Sequence, residues 1–454
     1  MSRRKKIRKP VELTVDQLEL KGSSGLDADG HRWIVRGAAV GETVQAWPGG
    51  RKKGKARIFA SISPAPDAVT PECPAFGLCG GCQFQHMPVA AQRHHKSALV
   101  SRSVGDLTGV TVHPSRSADA GYHYRNKIEL SFGPYQFVSE AQKDDLEFKK
   151  PGSFLGFHPP GWFSRIVPLS ACYLAEPEMN AVLSVIRDNM PSPPWNTQDH
   201  TGIWRHVVIR KGEGVLVTLV TTSGAPPEEV RGLGAKISAL PFVVGVLWVV
   251  TDRLSDVAEG ELAEVLHGQP WLDIKLADIT FRIPYDGFFQ VNTAGAQVLF
   301  DTIAQALAPT GGGTLLDLYC GVGAIGMFLA DRFDRVIGAE LNPASIACAK
   351  ENATRNNITG EWHAGKVEEI LPSLQVEGPR WIVVDPPRVG LHPSAARFLA
   401  DQEAEALVYV ACNPGSLGRD RVILEAGGWR LEALWSVDLF AQTPHTEAVA
   451  RFVR

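Results

Sequence analysis

The sequence predicts an α/β protein with a Rossmann-like domain at its C-terminus, a small N-terminal β-barrel and a mixed α+β central domain. Three observations predict this. Short strand-like segments divided by glycine-rich turns fill residues 11–62. From about residue 283, strands alternate with helical stretches, as in a parallel sheet. A glycine-rich turn at residues 320–326 directly follows one of those strands. We expect three domains, over residues 1–62, 63–282 and 283–454.

Length and composition are typical of a multidomain globular protein. The chain has 454 residues, of which 44% are hydrophobic and 21% charged. No apolar run approaches the ~18 residues of a membrane helix, and the best one, residues 242–250, predicts a buried strand. The charged N-terminus is not followed by the apolar stretch of a secretory signal. We therefore expect a cytoplasmic protein without a membrane partner.

Charge is unevenly distributed along the chain. Residues 1–62 contain 14 Lys and Arg against 6 Asp and Glu, a net charge of +8, while the remainder has 32 against 43, a net charge of −11. A basic front end on an acidic body predicts a module that binds a polyanion. Residues 1–10 alone suit a solvated tail, whereas the basic run at residues 51–57 lies between predicted strands and suits a binding surface.

Four cysteines predict a metal centre. Cys73, Cys79 and Cys82 lie in one short loop with the spacing C-x5-C-G-G-C, and disulfides are not expected in a cytosolic chain. Cys172 is the best candidate for the fourth ligand outside the C-terminal domain. Either zinc or a [4Fe–4S] cluster suits four thiolates. The two glycines, which let backbone N–H groups turn toward the sulfurs, favour the cluster.

The glycine-rich turn predicts a cofactor pocket. Gly321, Gly323 and Gly326 permit a tight turn and close approach of a ligand, but this spacing serves dinucleotides and S-adenosylmethionine alike. Asp317, inside the preceding strand, is placed to face the cationic methionine portion of S-adenosylmethionine. Glu340 ends the next strand and is placed to accept ribose hydroxyls, which would suit NAD equally well.

Asp385 ends another predicted strand, at the carboxyl edge where open α/β sheets bind ligands. The motif continues as Pro-Pro-Arg388. An aromatic residue in place of Arg388 would indicate methylation of an exocyclic amine, so the arginine counts against that reaction.

A cysteine and a carboxylate complete the predicted site. Cys412 ends the strand at residues 407–411, and Asn413-Pro414 breaks that strand at once; Glu447 precedes the final strand. Taken separately, Cys412 is typical of a buried thiol and Glu447 of a surface acid. Beside a methyl donor, they suit methylation of an electron-poor ring carbon such as C5 of uracil. A thiolate adds to C6 and a base removes the C5 proton. We expect the surroundings to favour the thiolate.

The motifs match a known family in order and over nearly the whole chain. The chain resembles the RNA 5-methyluridine methyltransferases, in particular the bacterial 23S rRNA branch, at residues 288–292, 317–321, 385–388, 411–414 and 443–447. The resemblance implies that Cys412 is the nucleophile and Glu447 the base. It also implies four contacts with S-adenosylmethionine, by Gln290, Tyr319, Glu340 and Asp385.

Further expectations follow from the same resemblance. The cysteine loop would hold a [4Fe–4S] cluster, and the front barrel would be a TRAM domain of OB-like topology that binds RNA. Phe288, which by itself predicts a core residue, would border the target base. Arg125 and Lys127 would contact RNA phosphates, and residues near 92–120 would pack with the catalytic domain. Ala324 stands where many members of the rRNA branch have a polar asparagine.

The expected partner is RNA, with 23S rRNA favoured over tRNA, and no obligate protein partner is evident.

Two other classes of protein remain open. A methylthiolating radical enzyme would also join a TRAM barrel to an iron–sulfur site, but its usual C-x3-C-x2-C loop differs from the spacing here. A non-catalytic RNA-binding protein with a decayed methyltransferase domain would not need Cys412 and Glu447.

Overall fold

The computed structural model describes residues 9–49, 54–118, 120–139, 144–307, 312–374 and 376–454. The basic tail at residues 1–8 and the basic residues 51–53 lie outside the described residues. None of the helices in the described part of the chain has both the length and the apolar character that a bilayer crossing requires.

The N-terminal sheet is a small barrel. Its strands are β1 (Val11–Glu19), β2 (Gly22–Leu26), β3 (Arg32–Val35), β4 (Thr43–Pro48) and β5 (Ala56–Ser63). They are ordered β3-β2-β1-β4-β5, and a bridge between Ile34 and Lys55 closes the sheet on itself. Alternate residues such as Leu13 and Val15 point into the core. The predicted barrel is confirmed, although β2 was not predicted because its sequence, Gly-Ser-Ser-Gly-Leu, is that of a turn.

Helix α1 (Val89–Val104) and two short strands, β6 (Thr111–Val112) and β7 (Arg116–Ser117), follow the barrel and the cysteine loop. A seven-stranded mixed sheet comes next, ordered β10-β9-β8-β11-β12-β13-β14, with helices α2 and α3 packed against its core. Its elements are β8 (Lys127–Gly133), β9 (Phe154–Phe157), β10 (Val167–Pro168), α2 (Pro177–Asp188), β11 (Trp204–Lys211), β12 (Val215–Thr221), α3 (Pro227–Ser238), β13 (Val243–Val250) and β14 (Glu261–Gly268). The buried strand predicted at residues 242–250 is β13.

The C-terminal part begins with a hairpin and continues as alternating helices and strands. Its elements are β15 (Trp271–Leu276), β16 (Ile279–Pro284), α4 (Thr293–Leu307), β17 (Thr314–Leu318), α5 (Ala324–Phe328), β18 (Arg335–Glu340), α6 (Pro343–Arg355), β19 (Glu361–Ala364), α7 (Val367–Ile370), β20 (Arg380–Val384), α8 (Pro393–Ala400), β21 (Ala406–Ala411), α9 (Pro414–Ala426), β22 (Arg430–Asp438) and β23 (Glu447–Val453). The strands are ordered β19-β18-β17-β20-β21-β23-β22.

The first five strands of that order are parallel, and β23 lies antiparallel between β21 and β22. Strands β17, β20 and β21 are almost entirely buried, with Leu, Ile, Val and Ala on both faces, because helices cover both sides. The predicted Rossmann-like domain is confirmed. All five parallel strands end at one edge, which positions the site described below.

Residues 89–117 belong with this C-terminal sheet. Strands β6 and β7 pair in parallel with β22, and the apolar face of α1, including Val100 and Val104, is buried beside α9. The linear range 63–282 therefore contains a segment that packs with the catalytic layer, as the resemblance implied for residues near 92–120. The physical reason is burial, because α1 covers one face of the sheet and β6 pairs its last edge.

Candidate active site

The glycine loop lies between the end of β17 and the start of α5. Three of its residues have positive φ: Tyr319 (63°), Gly321 (54°) and Gly323 (78°). A Cβ on Gly323 would lie 2.8 Å from the Trp362 ring, so the loop packs tightly where glycine is required. The side chain of Asp317 lies beneath the loop, and its Oδ2 accepts a 2.8 Å hydrogen bond from the N–H of Gly326.

Two of the predicted cofactor carboxylates border this loop. Glu340 ends β18, and its Oε1 accepts a hydrogen bond from Asn342 N (2.9 Å) while its Oε2 accepts a longer one from Gly321 N (3.3 Å). Asp317 is fully buried, so it supports the loop from below instead of lining the pocket broadly. Its second oxygen, Oδ1, is buried and has no hydrogen-bond partner among the described residues. Burial is the main cause that raises the pKa of Asp317 to about 7; the Gly326 hydrogen bond opposes the rise, and the carboxylates of Asp385 and Glu340 contribute to it.

Asp385 follows β20 at the same edge. Its N–H donates to the carbonyl of Leu318, which ties the two strand ends together, and burial raises the pKa of its carboxyl to about 7. The next residues turn away from the sheet and leave Arg388 exposed. The carbonyl of Arg388 accepts a 3.0 Å hydrogen bond from Asn413 Nδ2, so the Asp385 motif and the turn after β21 are held side by side.

Cys412 and Glu447 are cross-strand neighbours. Strand β21 pairs antiparallel with β23, and Ala411 lies opposite Ala448 at the end of the ladder. Cys412 directly follows Ala411, and Glu447 directly precedes Ala448, so this register places Cys412 and Glu447 side by side. Cys412 is half-buried, and Asn413 caps α9 immediately after it. Two residues 35 positions apart in the chain therefore meet at the carboxyl edge.

The surroundings of this pair are strongly acidic. Burial raises the pKa of Glu447 to about 8, the nearby Asp385 carboxylate adds to the rise, and the Arg388 guanidinium opposes it. Burial also raises the pKa of the Cys412 thiol to about 11, and the carboxylates of Glu447 and Asp385 contribute in turn. The expectation that the surroundings favour a thiolate is wrong for the protein alone, because burial disfavours a charged sulfur, and the carboxylates of Glu447 and Asp385 add to this effect more than the Arg388 guanidinium opposes it.

The motif around Gln290 forms another wall. Asn126 Nδ2 donates to the carbonyl of Gln290 (3.0 Å), and Asn292 Nδ2 donates to the carbonyl of Leu439 (2.9 Å) in the loop before Glu447. Gln290 is half-buried and thus available to a ligand. Phe288 is 73% exposed, so its interpretation as a core residue is wrong and its position suits a contact with an incoming base.

The four predicted metal ligands line one cavity of about 350 Å³. Cys73, Cys79, Cys82 and Cys172 are all free thiols of intermediate exposure. Among these described residues, no three sulfur atoms lie within 4.8 Å of one another. Burial, with a smaller contribution from the other thiols, raises the pKa of Cys79 to about 11 and that of Cys82 to about 12. Arg125 also lines this cavity.

Two polar residues of α1 are brought to the site although the sequence pattern does not single them out. Gln92 and Lys96 are fully buried and contact the loop between β22 and β23. They share the inner face of the helix with Leu99 and Val100. The spacing of positions 92, 96 and 99 is the signal that could have identified Gln92 and Lys96 from the sequence. These positions lie on one face of a helix, and a polar residue on a buried face needs a buried partner.

Comparisons with known proteins give the same picture. A model of the tRNA (uracil-5-)-methyltransferase family matches residues 267–363. An uncharacterized RNA methyltransferase of Chlorobaculum tepidum is 34% identical, covering 98% of this chain and 96% of the relative, and one of Halalkalibacterium halodurans is 31% identical, covering 97% and 96%. The crystal structure of Pyrococcus abyssi tRNA (uracil-54, C5)-methyltransferase in complex with S-adenosyl-L-homocysteine superposes with a TM-score of 0.75, at 26% identity and over 98% of this chain and 99% of that one.

The Rossmann-like sheet, the glycine loop and the carboxylates at its edge define the C-terminal domain as that of an S-adenosylmethionine-dependent methyltransferase. The whole-length similarity makes the assignment narrower. The chain belongs to the RNA uracil-C5 methyltransferase family.

Proposed function

We propose that this enzyme methylates C5 of a uridine in RNA through a temporary covalent bond between Cys412 and C6 of the ring. The observation that carries this proposal is the position of Cys412 and Glu447, each one residue beyond the last pair of the β21–β23 ladder, Ala411–Ala448, at the edge that also carries Asp385. A nucleophile and a base side by side at a methyl-donor pocket are what C5 methylation requires.

The residues of the chain divide the reaction between them. The Cys412 sulfur bonds to C6, and the electron pair of the C5–C6 double bond moves to C5 and its neighbouring carbonyl. S-adenosylmethionine supplies the electrophilic methyl group that C5 then takes, with S-adenosylhomocysteine as the leaving group. Glu447 removes the proton from C5, the double bond re-forms, and the sulfur–carbon bond breaks with its electron pair returning to Cys412.

The site suits a cationic cofactor. Burial raises the pKa of Asp317 and that of Asp385 to about 7, and Asp317 Oδ1 has no hydrogen-bond partner among the described residues. A nearby sulfonium cation would stabilise the charged form of both carboxyls. We assign contacts with the cofactor to Gln290, Tyr319, Glu340 and Asp385, of which Tyr319 lies in the glycine loop and Glu340 borders it.

RNA is the expected polymer, and the barrel offers a surface for it. Trp47 and Phe59 stack on each other with 5.3 Å between ring centroids, and both are nearly half exposed. Arg57 lies opposite Trp47 in the same pair of strands. Exposed aromatic rings beside cations are typical of surfaces that bind unpaired bases. These features support the TRAM-like role proposed for the barrel, and Arg125 and Lys127 are proposed phosphate contacts.

We propose 23S rRNA as the substrate, because the barrel and the cysteine loop resemble the rRNA branch. tRNA is the second candidate, favoured by the similarity to the Pyrococcus abyssi tRNA enzyme. Mapping 5-methyluridine in both RNAs from a deletion strain distinguishes them, since the missing nucleotide identifies the substrate.

The four cysteines are proposed to hold a [4Fe–4S] cluster. Their donor set suits either metal centre, and the loop favours the cluster, because the Gly81 N–H donates to Cys79 Sγ (3.3 Å) as expected around a negatively charged cluster. Purified protein should therefore be brown and contain iron and sulfide, and Cys82→Ser should lose both. A colourless protein that contains zinc would refute the cluster.

The covalent mechanism is tested with RNA that contains 5-fluorouridine. Fluorine at C5 cannot be removed as a proton is, so methylated RNA should stay bound to Cys412 through denaturing electrophoresis. Cys412→Ala should form no conjugate and still bind S-adenosylmethionine, while Cys348→Ala, a buried cysteine on α6, should behave as wild type. Wild-type protein that forms no conjugate at Cys412 would refute the mechanism.

A further inference from the structure

The loop before the base, residues 439–446, is held by hydrogen bonds from residues that are distant in the chain. The carbonyls of its first four residues each accept a hydrogen bond from a distant donor: Leu439 from Asn292, Phe440 from Lys96, Ala441 from Tyr124 and Gln442 from the N–H groups of Gln83 and Phe84. Few surface loops have every successive carbonyl satisfied by tertiary contacts. This loop is therefore held as rigidly as a core element.

Gln442 is the centre of these contacts. Its φ is +70°, a conformation that is unfavourable for a residue with a Cβ and that persists only where the surroundings impose it. Gln92 imposes it through a reciprocal pair: Gln442 N donates to Gln92 Oε1 (2.7 Å), and Gln92 Nε2 donates to Gln442 Oε1 (2.9 Å). Gln92 Nε2 also donates to the carbonyls of Phe84 and Met87, so its own orientation is fixed.

Two further groups hold the same loop. Lys96 Nζ bonds the carbonyl of Phe440 (3.0 Å) and the Asp438 carboxylate (2.7 Å), and the lysine and aspartate side chains are almost completely buried. The Tyr124 hydroxyl donates to the carbonyl of Ala441 (2.8 Å). Each contact joins the N-terminal half of the chain to the five residues that begin at the last residue of β22.

The loop ends at Glu447, only five residues after Gln442. Thr446 Oγ1 bonds the carbonyl of Val437, which leaves little freedom between the held residues and the base. We propose that Gln92, through its pair with Gln442, is a positioning residue that sets the place of Glu447 relative to the C5 proton. This inference rests on the proposed function, because it assigns Gln92 to the proton-removal step of that reaction.

Loss of the Gln92–Gln442 pair should slow the release of RNA from Cys412, and it should not slow the formation of the sulfur–carbon bond. Cys412 follows β21, and none of the side-chain hydrogen bonds of Gln92 described above reaches that strand, so addition to C6 and methyl transfer should continue when the pair is lost. Removal of the C5 proton depends on the position of Glu447, and an error of about 1 Å in a reacting group slows a step about 100-fold. Gln92→Leu should therefore accumulate a methylated protein–RNA conjugate, with release slowed about 10- to 100-fold.

The experiment is a single turnover with unmodified uridine RNA and methyl-labelled cofactor, quenched at intervals and separated under denaturing conditions. It measures label in the conjugate and label in free RNA. Tyr124→Phe keeps the ring and loses one loop contact, so it should show the same defect more weakly, and it decides the matter if Gln92→Leu does not fold. Gln402→Leu is the matched control, because Gln402 bonds the carbonyl of Phe398 at the opposite edge of the sheet.

Each outcome has one meaning. Accumulated conjugate in the loop variants, with normal turnover by Gln402→Leu, supports the positioning role. Release at the wild-type rate, or slow methyl transfer without conjugate, overturns it while leaving the proposed function intact. A wild-type protein that transfers no label to uridine overturns both.

Discussion

Replacing Glu447 with glutamine is expected to make Cys412 more acidic, although the same change removes the base. Burial raises the pKa of the thiol to about 11, and the Glu447 carboxylate is one of the two anions that contribute to the rise. The thiol titrates above the pKa of Glu447, which is about 8, so Glu447 is ionised wherever Cys412 loses its proton. Removing this negative charge stabilises the thiolate, and the pKa of Cys412 falls.

The size of the fall follows from the strand register. Side chains at adjacent cross-strand positions are about 5 Å apart. Two unit charges at that distance interact by about 3 kcal/mol with an effective dielectric constant of about 20, and by about 1 kcal/mol in water. Since one pKa unit corresponds to about 1.4 kcal/mol, Glu447→Gln should lower the pKa of Cys412 by about one to two units.

The assay is the pH dependence of Cys412 alkylation by iodoacetamide, followed on the peptide that contains Cys412 by mass spectrometry. Wild type and Glu447→Gln are compared without cofactor or RNA. Glu425→Gln is the control, because it removes the same charge from an exposed position on α9. A Cys412 pKa that is unchanged or higher in Glu447→Gln would refute both the register argument and the acidic character of the site.

Three further predictions concern stability. Gly321 and Gly323 both have positive φ, so alanine at either position should lower the free energy of unfolding by about 1–2 kcal/mol. Only a Cβ at position 323 would lie 2.8 Å from an indole ring, so chemical denaturation should show the larger loss for Gly323→Ala. Equal losses would contradict the packing described here. Lys96→Met should lower the free energy of unfolding by about 3–5 kcal/mol, because it leaves the buried Asp438 carboxylate without its cation. The double variant Lys96→Met/Asp438→Leu should recover part of that loss. A double variant no more stable than the single one would show that the ion pair is not the cause. Folding raises the pKa of Glu447 from an ordinary 4.5 to about 8, so the folded state binds the proton more tightly, and the stability of wild type falls as the pH rises from about 4.5 to 8. The melting temperature of Glu447→Gln, relative to that of wild type, should therefore be higher at pH 9 than at pH 5. A difference between the two proteins that does not change with pH would argue against a buried carboxyl.

The sequence was most informative where the site depends on strand ends. Gly321, Asp385 and Cys412 each follow a strand of the parallel sheet, and the carboxyl ends of parallel strands meet at one edge. A pattern of buried strand followed by a polar or glycine residue is local, so it can be read without knowledge of the tertiary structure. The same holds for the cysteine loop, where three cysteines lie within ten residues.

The remaining parts of the site depend on contacts between distant residues. The placement of Glu447 beside Cys412 requires that β23 inserts antiparallel between β21 and β22, which no periodicity in the final strand indicates. The Gln92–Gln442 pair joins residues 350 positions apart. A single sequence contains no signal for such a pairing, except that a polar residue on the inner face of a helix requires some partner. The electrostatics were mispredicted for the same reason, since the two carboxylates around Cys412 come from the ends of two other strands, β20 and β23.

The pairing of β6 with β22 constrains the order in which the chain can fold. Lys96 and Asp438 are 342 positions apart, so α1 leaves the ribosome long before the strand that covers it has been synthesised. Until then the apolar face around Leu99 and Val100 has no native partner and is exposed to aggregation or to chaperones. Nascent chains that stop before about residue 414 would lack both α9 and β22, against which α1 packs. Completion of the C-terminal layer is thus a late event in synthesis, because α1 is not covered until α9 and the last two strands emerge.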